Sequence, residues 1–111
     1  MTMAESRFVD IQRTITSAGT VVSVRGELDV HACPQFRRTL IAGVVTGGVI
    51  EVDLSEVTFV DSAALSALVD GRTIAAQYRG ELRLSAVGPT VARLLSAAGV
   101  DGLFPSQAVV A

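Results

Sequence analysis

Asp61-Ser62 is the place in this chain where residue type and neighbourhood could do chemistry. Before it, Val57, Phe59 and Val60 are β-branched or aromatic and favour extended backbone. After it, Leu65, Leu68 and Val69 recur at i, i+3 and i+4, with Arg72 and Ala76 continuing the line, so the period turns helical. Asp61 is the natural N-cap, because its carboxylate can accept a first-turn N–H that otherwise has no partner. Ser62 then lies among free amides at the positive end of the helix dipole, where added negative charge is tolerated. The chemistry this position would accommodate is phosphorylation of one hydroxyl. A phosphate there would favour its own helix, and so would act on whatever docks at this surface and not by unfolding the domain. On local chemistry alone, an Asp-Ser cap with a spare hydroxyl is the simpler reading.

Other chemistries fit less well. Ser62 as a nucleophile would need His31 as base and Asp29 or Asp61 to orient it, but Gly-x-Ser-x-Gly is absent and His31 is as easily a surface residue, so an enzyme is not expected. The single cysteine, Cys33, cannot form an internal disulfide, and with one histidine there is no cluster for zinc. A reactive thiol at a helix start is conceivable, yet a small buried apolar residue describes Cys33 better. No cofactor or metal is implied.

Composition narrows the partners. Half of the 111 residues are hydrophobic and 18% are charged, which describes a globular chain with one core. Net charge is -2, and the nine basic residues are all arginine, spread from Arg7 to Arg93. Nothing forms a basic stripe for nucleic acid or an anionic membrane. Arg37-Arg38 is the only adjacent basic pair, and a solvated helix face explains it better than a phosphate-binding patch. The opening Met1 to Arg7 lacks the apolar core of a secretory signal and no run reaches membrane-spanning length, so a cytoplasmic protein is expected.

The elements that must position Asp61-Ser62 follow from pattern. Strands are expected over Phe8 to Thr16 and Val21 to Leu28, joined by a turn at Ser17 to Thr20 as an antiparallel hairpin. Val22, Val24 and Leu28 share the buried side of the second. Asp29 ends it, and Pro34 opens a helix with Phe36, Leu40, Ile41 and Val44 inward, stopped by Gly47-Gly48. Val49 to Leu54 is a strand, and the second helix runs from about Asp61 to Tyr78 with Gly71 inside it. Glu81 to Val87 alternates as a strand. A third helix begins at Gly88-Pro89 with Val91, Leu94, Leu95 and Ala98 inward, and Gly99 is its αL residue. Leu103-Phe104 is expected as a short last strand. The order predicts an α/β fold: a single domain over 1–111 with its core at about 8–104, a mixed but mostly parallel sheet, an antiparallel N-terminal strand and three main helices. Parallel crossovers put Asp29 and the loop before Ser62 on one edge of the sheet, where sites usually lie.

Three segments in this order carry a resemblance. Val24-Arg25-Gly26-Glu27-Leu28-Asp29, then Val52 to Leu65 with Asp61-Ser62 in it, then Gly80-Glu81-Leu82-Arg83-Leu84 resemble the STAS domain of bacterial anti-sigma factor antagonists, over about Phe8 to Phe104. The resemblance implies a protein that binds an anti-sigma factor of the serine-kinase type and so frees a sigma factor for transcription. It implies that Ser62 is the phosphorylated serine, that phosphorylation releases the antagonist, and that a phosphatase reactivates it. Asp29 matches the acid that borders the partner surface, and Asp61, Ser62, Ala63, Ala64 and Ser66 make up the rest. Ala63 and Ala64 depart from the family pattern, which often has a second Ser or Thr followed by Gly. Ser62 is therefore the one candidate in the loop, with Ser66 a turn later, and the Ala64 methyl stands where a partner backbone would approach. The tail is also short for the family's usual final helix. The alternative is a STAS accessory or scaffold subunit, in a transporter or signalling complex, without sigma-factor regulation.

Overall fold

The computed structural model describes residues 9–104. Phe8 and the tail after Phe104 lie outside them. Strand β1 (Val9–Thr16) and strand β2 (Gly19–Leu28) form the expected antiparallel hairpin, with Thr16 paired to Gly19 across a two-residue loop. Helix α1 (Cys33–Val44), strand β3 (Val49–Val60), helix α2 (Ser62–Gln77), strand β4 (Glu81–Val87) and helix α3 (Pro89–Ala97) follow. The sheet has four strands in the order β1-β2-β3-β4, with β2, β3 and β4 parallel. Both crossovers step the same way across the sheet, so right-handed connections lay α1 and α2 on one face. They touch each other there, and Arg37 of α1 reaches Asp70 of α2 at 2.7 Å.

The core fills the space between that face and the helices. Val22, Val24 and Leu28 of β2, Ile50, Val52 and Leu54 of β3, and Leu82 and Leu84 of β4 meet Phe36, Leu40 and Val44 of α1, all within 2% of full burial. Strand alternation sits as the pattern predicts, and so does the α1 stripe except at Ile41, which is half-buried outside the core while Gly43 takes an inner position.

Four further expectations are corrected. The buried line of α2 is Ala64, Ala67, Leu68, Gly71 and Ala75, while Leu65 and Val69 are half-buried and Arg72 and Ala76 are exposed. Small residues win this face because α2 lies close to its neighbours: a Cβ at Gly71 would stand 3.0 Å from Leu82 Cδ1 and 3.5 Å from Leu40 Cδ1. Ala98 is exposed because α3 ends at Ala97, with Gly99 following at φ 74°. Leu103-Phe104 is not a strand. Asp101–Leu103 is a 3-10 turn, and Arg72 Nε donates to the Leu103 carbonyl at 2.7 Å, so that oxygen is already taken by α2 and not by a sheet ladder. Finally, β3 runs on to Val60, so a strand and not a loop leads into Asp61.

Candidate partner-docking edge

The site is built by two parallel strands that end together. Leu28 of β2 pairs with Val60 of β3, and the next residue in each chain is an aspartate, so Asp29 and Asp61 stand side by side at the C-terminal edge. Asp29 closes the turn that leads into α1, whereas Asp61 caps α2 directly. Asp29 Oδ1 accepts from the His31 and Ala32 amides at 3.0 and 3.2 Å, while its carbonyl accepts from Ala32 and Cys33. Asp61 Oδ1 accepts from Ala63 and Ala64 at 3.0 and 3.3 Å with extended backbone at φ -125° and ψ -176°. The N-cap read from sequence is in place, and it leaves Ser62 as the first residue of α2.

Ser62 is exposed, and so is Ser66 one turn on. Ala63 is half-buried and packs against the core. Ala64 is fully buried at 0% exposure, so its methyl faces the core and cannot meet a partner backbone; that expectation is corrected by the inward turn of the α2 stripe. His31 is exposed, with its backbone amide on Asp29.

Cys33, the first residue of α1, reports on the electrostatics of this edge. Burial first, and then the nearby Asp61 and Asp29 carboxylates, push its thiol up to about 11 against a lowering by Arg37. One sulfur thus feels both aspartates, as the strand register requires. A thiol so disposed stays protonated near neutrality and is a poor nucleophile.

Two apolar residues escaped the sequence reading. Val30 is 58% exposed just after Asp29, and Phe59 is 48% exposed two residues before Asp61. Phe59 looks like an ordinary strand residue in sequence; what frees it is a shift in alternation. Between Ser23/Arg25 and between Gly26/Glu27, β3 spends one more residue than β2, and these two bulges carry burial from Leu54 to Val57 while turning Phe59 outward. Among the described residues no group of three or more His, Cys, Asp or Glu is placed to hold a metal ion. No described helix is long and apolar enough to cross a membrane.

A small open α/β sheet thus ends at one edge in two neighbouring aspartates, with an exposed serine opening α2 behind the second. Comparison places it: residues 11–106 match the family described as Mlab, STAS domain, and the chain belongs to the STAS family. The anti-sigma-B factor antagonist of Listeria monocytogenes is 29% identical over 84 residues, spanning 75% of this chain and 74% of that protein. An anti-sigma factor antagonist from Mycobacterium paratuberculosis superposes with a TM-score of 0.75 at 26% identity, over 87% of this chain and 83% of that one. The anti-sigma factor antagonist SpoIIAA in its unphosphorylated form gives a TM-score of 0.75 at 21% identity, over 92% and 88% of the two chains, which is a likeness of fold.

Proposed function

We propose that this chain is an anti-sigma factor antagonist: it binds a serine-kinase-type anti-sigma factor through the Asp29/Asp61 edge, frees a sigma factor, and is switched off by phosphorylation at Ser62. The observation that carries this reading is an exposed hydroxyl at the first position of α2, directly behind a formed aspartate cap, in a chain similar to antagonists of that kind. In the switching step Ser62 Oγ takes the terminal phosphoryl group of ATP bound to the kinase, the bond to ADP breaks, and the hydroxyl proton passes to a base of the kinase. The product adds a charge of roughly -1.5 to -2 beside two aspartates. Desolvating that charge against a partner shaped for a small hydroxyl costs several kcal/mol, and about 4 kcal/mol is near a thousandfold in affinity. Val30 and Phe59 supply apolar area at the same edge. On this reading the protein is a cytoplasmic binding module and not a catalyst, a phosphatase restores the active form, and nucleic acid and membrane are not direct partners.

A second reading, an accessory or scaffold subunit without sigma-factor regulation, is favoured by one observation: the matching family description names Mlab and not sigma control. Incubation with ATP and candidate anti-sigma kinases separates the two. Phosphate mapped to Ser62 and lost in Ser62→Ala is expected. Stable co-purification with a membrane ATPase, with no kinase binding or modifying the protein, would establish the second reading instead.

A further inference from the structure

The arginine pair singled out in the sequence divides in the structure. Arg37 turns to Asp70, whereas Arg38 turns to an open groove of about 250 Å³ between α1 and β1, lined by Ile11, Arg13, Gln35, Arg38, Thr39 and Ala42. Arg13 reaches it because it pairs with buried Val22 and so points to the helix side of the sheet, while Asp10 pairs with Arg25 on the opposite side. Two exposed arginines from different elements thus line one concavity in a protein of net charge -2. Among the described residues no acid lines the groove and neither arginine has a carboxylate within 4.0 Å; the arginines that do are Arg25, Arg37 and Arg83. Like charges so placed gain from an anion between them, and the guanidinium fork matches a phosphoryl group. Gln35 adds an amide donor, and Ile11 and Ala42 give a short apolar floor.

We propose that the groove between β1 and α1 binds a small organic phosphate, with Arg13 and Arg38 on the phosphoryl oxygens and a short carbon stem on Ile11 and Ala42. A volume of about 250 Å³ is below the usual range for larger ligands and suits a phosphoryl group with a few carbons. This site is independent of the Ser62 reading and stands or falls apart from it.

Amide spectra of the full ¹⁵N-labelled chain, titrated at constant ionic strength with glycerol 3-phosphate, inorganic phosphate and succinate, test it. Glycerol 3-phosphate should give saturable shifts confined to β1 and the first half of α1, tighter than inorganic phosphate. Arg13→Gln and Arg38→Gln should each weaken binding about tenfold, while Arg93→Gln should leave it unchanged. Absence of saturation by about 10 mM, saturation that survives the Arg13→Gln/Arg38→Gln double variant, or equal saturation by succinate would overturn the assignment.

Discussion

At the scale of single residues, Asp61 does structural work that can be separated from charge. Its Oδ1 holds two first-turn amides, so Asp61→Ala should cost about 1 kcal/mol of stability and lower the melting temperature by several degrees. Asp61→Asn keeps the acceptor and should stay near wild type in the same thermal scan. Ser62 behaves in the opposite way. Its hydroxyl is exposed at a helix start that tolerates an acid, so Ser62→Glu should move the melting temperature by less than about 2 °C while abolishing most partner binding. A large fall in melting temperature would make the serine structural. Asp29 is structural in the same sense as Asp61, because its carboxylate holds the His31 and Ala32 amides in the turn before α1.

At the scale of elements, glycines set how closely segments approach. Gly71 lets α2 lie against β4 and α1, and two extra methyl groups plus a Cβ already 3.0 Å from Leu82 have no room. Gly71→Val should therefore cost about 1–3 kcal/mol by denaturant unfolding. Gly71→Ala should cost less than about 1 kcal/mol, since better helix propensity offsets a small adjustment of the Leu82 side chain. Gly80 is stricter, because a Cβ there would overlap the Gly48 backbone, whose carbonyl accepts from Glu81 N–H at 2.9 Å. Backbone cannot step aside as a side chain can. By contrast, the Arg37–Asp70 pair links α1 to α2 with both groups about half exposed, and Asp70→Ala should cost under about 1 kcal/mol.

At the scale of the whole molecule, one core implies one cooperative transition, and Cys33 is its reporter. The thiol is 8% exposed at the start of α1, so its modification by a thiol reagent at about pH 8 should track global unfolding measured by circular dichroism. Its raised ionisation also gives stability a sign with pH. Folding keeps the thiol neutral up to about 11 against an ordinary 9.0, so the contribution is complete below pH 9.0 and is lost as pH climbs toward 11, where only the unfolded chain readily gives up the proton. The difference in unfolding free energy between about pH 8.5 and about pH 10.5 should shrink in Cys33→Ala.

Local rules settled much of this protein in advance. Alternation in Val22-Val24-Leu28 and Ile50-Val52-Leu54 placed two strands and their buried sides, and an acid before a helical period placed the Asp61 cap, because both depend on neighbours within a few residues. What depended on distant partners was not legible. Which stripe of α2 goes inward was decided by the fit of Ala64, Ala67 and Gly71 against α1 and β4; the fate of Leu103 was decided by an arginine 31 residues away; and the exposure of Phe59 was decided by bulges that exist only relative to β2. The side-by-side placement of Asp29 and Asp61 was foreseeable from topology, yet only the pairing of Leu28 with Val60 brings it about, since register is a property of two strands and not of either alone.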